Sequence, residues 1–86
     1  MSRFTVVWQS DAEDDVASIW LSASDRTAVT AATNAIDLEL ADDPSSKGAD
    51  VREGLRALDV PPLRAFYDVD EGDRKVEVQC VRLLAD

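Results

Sequence analysis

Leu63-Arg64-Ala65-Phe66-Tyr67-Asp68-Val69 sets Leu63, Ala65, Tyr67 and Val69 on one side of an extended chain, with Arg64, Phe66 and Asp68 on the other. That alternation is the period of a half-buried strand. Downstream, Asp70-Glu71-Gly72-Asp73 supplies the residues of a tight turn. A last strand follows, expected to turn Val76, Val78 and Cys80 to the core and Glu77, Gln79 and Val81 away from it. Upstream, Val60-Pro61-Pro62 reads as a loop, and Val51 to Leu58 as a strand interrupted by Gly54.

Before Pro44 the apolar period changes. Ala12, Val16, Ile19, Trp20 and Ala23 recur as one stripe of an amphipathic helix, and Val29, Ala32, Ile36 and Leu40 as one face of a second. Ser10-x-x-Glu13 has the form of a capping box, and Asp11, Asp14 and Asp15 suit the positive end of a helix. Ser24-Asp25 offers a turn and a new N-cap. Asp42-Asp43-Pro44 closes the second helix, because the residue before proline avoids helical angles. Phe4, Val6 and Trp8 alternate on a β-branched N-terminal strand. The expected fold class is α+β: strand, antiparallel helical hairpin, then a meander of about three antiparallel strands packed on the hairpin. Residues 1–86 read as a single domain.

Composition narrows the chemistry. The 86 residues include no histidine and one cysteine, Cys80, which removes the commonest general base and leaves zinc without its usual ligands. No metal or cofactor is expected. Charged residues arrive at Arg3, Asp11 and Glu13 before any long apolar run, so neither a leader nor a membrane span is expected, and the cytoplasm is the expected compartment. The formal charge of −9 opposes general affinity for nucleic acid. It is unevenly spread: residues 1–43 hold nine acids and two bases, whereas residues 44–69 hold four of each, the bases being Lys47, Arg52, Arg56 and Arg64. Gathered on one face, these four could form a local basic site.

The ordered set of segments resembles the RelE/ParE family of bacterial toxins from type II toxin–antitoxin (plasmid stabilisation-like) modules. The resemblance runs through Val6-Val7-Trp8-Gln9-Ser10-Asp11-Ala12, Asp15-Val16-Ala17-Ser18-Ile19 and Ala35-Ile36-Asp37. It is most specific in Gly54-Leu55-Arg56-Ala57-Leu58 followed by Pro62-Leu63-Arg64-Ala65-Phe66-Tyr67-Asp68-Val69. It implies a small sheet on a helical hairpin, and a cognate antitoxin protein as partner. Within the family, RelE-like members bind the ribosome and cleave mRNA without a metal, while ParE-like members inhibit DNA gyrase.

Arg64 matches the arginine that RelE-like nucleases hold near the scissile phosphate, where a guanidinium can bind phosphate bidentately. The bland alternative is an ion pair with a neighbouring carboxylate such as Asp68 or Glu77. Arg52 and Arg56, four apart on one expected strand, could line the same groove, or could simply be solvated. The resemblance also marks departures. RelE-like enzymes carry lysines on the preceding strand, where this chain has Arg52 and Gly54, and basic and tyrosine residues after the last strand, where it has Leu83-Leu84-Ala85-Asp86. Tyr67 falls on the core side, and arginine is no general base. The reading is therefore a toxin-like component, gyrase-directed or degenerate. The alternatives are a ribosome-dependent mRNA endonuclease using Arg64, Arg56 and Arg52, and a non-toxic interaction domain. Phe66 and Val81 on the outer sheet face, with Leu83 and Leu84, form the expected partner-binding strip, covered by an antitoxin segment or by a second copy in a homodimer.

Overall fold

The computed structural model describes residues 3–84. Strand β1 (Thr5–Trp8) leads into helix α1 (Ser10–Ser22) and helix α2 (Arg26–Leu40). A single 3-10 turn at Pro44–Ser46 precedes β2 (Ala49–Arg52), β3 (Leu55–Val60), β4 (Leu63–Asp70) and β5 (Lys75–Leu83). The five strands lie in the order β1-β5-β4-β3-β2, with β1 parallel to β5 and every other neighbour antiparallel. The helical hairpin covers one face of this sheet, α1 lying along β5 and α2 against β3 and β4. The other face is open.

The two helices start differently. Asp25 caps α2 as its sequence suggests, its carboxylate accepting the Ala28 amide at 3.0 Å. The capping box at Ser10 does not form. Gln9 is still tied to the sheet through its amide to the Val78 carbonyl at 3.0 Å, so it becomes the N-cap and Ser10 is already helical. The Glu13 amide bonds the Gln9 carbonyl, and the Gln9 side chain donates to Glu77 at 2.7 Å.

The core is one cluster in which Val29, Ala32, Ile36 and Leu40 of α2 and Ala12 of α1 meet Leu63, Ala65, Tyr67, Val76, Val78 and Val81. Burying an aliphatic side chain of this size contributes about 1.5–3 kcal/mol each, so α2 carries most of the helical share. Trp20, expected in the α1 stripe, instead stands 38% exposed at the edge of that stripe. Trp8 packs against the core and donates through Nε1 to Asp37 at 3.1 Å.

Two features depart from the expected meander. Gly54 does not interrupt one strand: with φ at +81° it turns the chain, and β2 pairs back on β3 as a separate hairpin. A glycine takes that angle at little cost, whereas a side chain would not. The second departure is a bulge in β5. Phe66 pairs with Cys80 but Tyr67 with Val78, so Gln79 is an extra residue on that strand. One inserted residue reverses the alternation beyond it. Val81, expected outside, is therefore in the core at 1% exposure, and Cys80, expected inside, shares the open face with Phe66.

Candidate functional site

The open sheet face gathers Leu55, Ala57 and Asp59 of β3, Arg64 and Phe66 of β4, and Cys80 and Arg82 of β5, as the strand register dictates. Half-buried Phe66 is its apolar centre. Beside it a groove of ≈ 500 Å³ runs between Ala49, Val51, Ala57, Asp59, Arg64 and Phe66. A second, of ≈ 360 Å³, is lined by Arg52, Glu53, Gly54, Leu55, Asp68, Gln79 and Cys80.

The four bases are not gathered into one site. Arg64 lies on the open face with its fork closed on Asp59, Nε to Oδ1 at 2.6 Å and Nη2 to Oδ2 at 3.0 Å. This bond holds the Asp59 carboxyl below the usual carboxylate range and raises the Arg64 guanidinium further. The partner is neither Asp68 nor Glu77, because the two-residue turn at Pro61-Pro62 sets Asp59 directly opposite Arg64. Reading that pair of prolines as a hairpin turn would have found it.

Arg56 belongs to the other face. It is the register partner of Tyr67, and its guanidinium turns into the loop before β2. There Nε and Nη2 donate to the Lys47 carbonyl at 3.1 and 2.8 Å, and Nη1 meets Asp50 at 2.5 Å. The Tyr67 hydroxyl reaches the same carbonyl at 2.8 Å and lies 3.1 Å from that of Pro44. Burial pushes the phenol upward, partly offset by Arg56. Lys47 is occupied too, its Nζ donating to the carbonyls of Glu39 at 3.0 Å and Asp42 at 2.6 Å and pairing with the Glu39 carboxylate. It thus satisfies carbonyls left over at the end of α2. Only Arg52 of the four has no ion pair among the described residues, and β2, not the strand of Arg56, carries it.

The expected partner strip is likewise divided. Phe66 keeps its place on the open face, Val81 has left for the core, and Leu83 and Leu84 sit at the far end of the helical hairpin. The Leu84 amide donates to the Pro62 carbonyl at 2.9 Å, holding the chain against that turn. Leu83, 57% exposed, and Leu84 line a cleft of ≈ 550 Å³ with Ala23, Ala28, Val29, Pro61 and Pro62. Sequence reasoning missed this cleft because the bulge decides where the strand end points.

Chemically, the open face offers two arginines already paired with carboxylates, Arg64 with Asp59 and Arg82 with Asp15, an aromatic centre, and a half-buried Asp68. Partial desolvation raises the Asp68 carboxyl, against the bond it accepts from Gln79 at 2.8 Å. Among the described residues no cluster of three or more metal-binding side chains forms, and no helix is long and apolar enough to cross a membrane.

No family model and no curated protein matches the sequence. Solved structures do match. A chain of the toxin–antitoxin complex RelBE2 from Mycobacterium tuberculosis superposes with a TM-score of 0.82 at 20% identity, over 100% of this chain and 97% of that one. A chain of the chromosomal ParDE toxin–antitoxin system from P. aeruginosa gives 0.69 at 14% identity, over 96% and 98%. The RelE/ParE-like fold expected from the sequence is the fold observed.

Proposed function

We propose that the chain is the toxin-like member of a type II toxin–antitoxin module, held by a cognate antitoxin, and that it does not cut RNA. The observation that supports the first part is the superposition on chains of two toxin–antitoxin complexes over 96–100% of this chain. The module is tested by co-expression with any short reading frame that adjoins its gene. A stable complex, and growth arrest when this chain is induced alone, are the expected results.

The second part rests on the open face. A metal-independent nuclease needs a group to take the 2′-hydroxyl proton and another to protonate the leaving oxygen. Tyr67 is wholly buried under the loop at Pro44–Lys47, Arg56 is committed to the same loop, and Asp59, the carboxylate nearest Arg64, is made less basic by it. This arrangement favours a protein target such as DNA gyrase, or a fold retained for interaction alone, over mRNA held on the ribosome. Primer extension on mRNA after induction separates them. Arrest without cuts supports the proposal, and ribosome-dependent cuts overturn its second part.

A further inference from the structure

Thr27, Thr30, Ala31, Asn34 and Leu38 are all exposed on α2 and recur at helical spacing, so they share one outward ridge. That ridge carries no charge, on a chain that is 31% charged residues with a formal charge of −9. Its two ends differ. At the start of α2, Arg26 lies over the Trp20 ring, 4.7 Å from its centroid, while Nε and Nη2 donate to the Trp20 and Leu21 carbonyls at 2.9 Å each. This fixes an indole and a cation at that end. At the other end Leu38 stands 71% exposed, next to Asp37, an exposed residue whose carboxylate accepts the Trp8 indole N–H through Oδ1 and keeps Oδ2 for a partner.

The geometry points to a second copy of this chain as the occupant of the ridge, the two α2 helices packing antiparallel about a twofold axis between Ala31 and Asn34. A twofold contact must be self-complementary, each end of the patch meeting the other. Here Leu38 meets the partner's Trp20 and Thr27, and Arg26 comes opposite the partner's Asp37. Ala31, Thr30 and Asn34 are small enough at the axis for the helices to approach to about 8 Å. Antiparallel packing also sets opposite ends of the two helix dipoles side by side.

Charge selects this occupant over others. Two chains of this net charge repel through every acidic surface and can approach closely only where charge is absent or matched. A basic partner would instead be drawn to Asp11, Glu13 and Asp14 at the start of α1. Because Arg26 already holds Trp20, the apolar anchor is ordered before association, which reduces the entropy lost on binding. The inference is independent of the toxin reading.

Sedimentation velocity on the purified chain tests it. The expected mass is that of two chains, falling to one in Ala31→Glu and in Leu38→Glu. Circular dichroism and melting of these variants should match the parent, since both positions point to solvent. Val51→Glu, in the groove beside Phe66 on the open face of the sheet, should leave the dimer intact. As a second arm, Arg26→Glu, which releases the Trp20 indole and sets a like charge opposite the partner's Asp37, should weaken the dimer. A parent that sediments as one chain overturns the proposal. So does a dimer that survives both ridge variants, or one broken by Val51→Glu, which would place the contact at the open-face groove.

Discussion

The carboxylate of Asp15, in α1, accepts a hydrogen bond from the backbone amide of Val81 at 3.0 Å, joining residues 66 apart in sequence. Strand β1 pairs with β5 only as far as Val78. Past its end, the β5 amide at Val81 has no neighbouring strand on that side, and the helix supplies the acceptor instead. The same oxygen also takes Arg82 Nη1 at 3.0 Å. Asp15 is therefore more than a helix-start charge. It fastens α1 to the segment just after the bulge.

Replacing it tests that role. Asp15→Ala leaves a part-buried amide without a partner, and the expected loss is about 1–3 kcal/mol. Asp15→Asn keeps an acceptor and should lose less. Chemical denaturation reads both, with an unchanged slope expected if the folded state is otherwise intact. Equal midpoints for the Ala variant and the parent would remove Asp15 from the fold's essential contacts.

Gly48 faces a harder constraint than Gly54. A Cβ at Gly48 would sit 2.3 Å from the Ala57 carbonyl oxygen and 3.0 Å from the Tyr67 hydroxyl, at a φ of +66°. At Gly54 the φ is +81° but nothing lies within 4 Å. Gly54→Ala should cost only the left-handed penalty of about 1–2 kcal/mol. Gly48→Ala adds a backbone collision and should cost more, reading as a clearly lower Tm than the Gly54 variant.

Tyr67→Phe removes the hydroxyl from the Pro44 and Lys47 carbonyls and should cost about 1–2 kcal/mol. The phenol's raised pKa has a defined sign. A group that ionises less readily when folded supports folding fully below its unfolded value, about pH 10, and that support is lost as pH rises through the folded value. The parent should lose stability in alkali that the Phe variant keeps. If the module reading is right, growth arrest should survive this substitution, since the hydroxyl is buried.

Asp68 titrates in the opposite range with the same sign. Desolvation raises its carboxyl, the Gln79 bond lowers it, and Glu77 and Asp70 add like charge that raises it further. Its contribution is complete below the unfolded value, about pH 4, and is lost as pH rises through the folded one. Asp68→Asn, which keeps an acceptor for Gln79, should therefore stabilise the protein slightly at neutral pH. The group is only partly desolvated, so the gain should be small. It should vanish in melts carried out below about pH 4. A gain that persists there would place its origin outside the charge.

The parts of the fold legible in the sequence were those set by a local period. Val29, Ala32, Ile36 and Leu40 declare α2, and Leu63, Ala65 and Tyr67 declare the inner face of β4; all seven are buried. What was not legible depends on register across strands. Nothing near Gln79 marks it as the extra residue of a bulge, because bulges answer to the partner strand, and so Cys80 and Val81 exchanged faces. The arginines failed for a related reason. Spacing places Arg52 and Arg56 on one strand, but the turn at Gly54 puts them on two, and Asp59 comes opposite Arg64 only because Pro61-Pro62 is a tight hairpin turn rather than a loop.

The Asp59–Arg64 pair allows a decisive experiment, because its two readings make opposite predictions for Asp59. Suppose Arg64 acts on a phosphate. Asp59 then competes with the substrate for the guanidinium, so Asp59→Ala should free it and raise toxicity or cleavage, while Arg64→Ala should abolish them. Suppose instead that the pair only ties β3 to β4 across the turn. The two single variants should then behave alike, each close to the parent in stability because an exposed pair contributes little. Neither should change the response of growing cells. The closed fork, with both carboxylate oxygens engaged, favours the second outcome. Growth curves after induction of the parent, Asp59→Ala, Arg64→Ala and the double variant are the measurement. Matched curves for all four support a structural pair. A more toxic Asp59→Ala beside a harmless Arg64→Ala would establish Arg64 as the residue that meets the target.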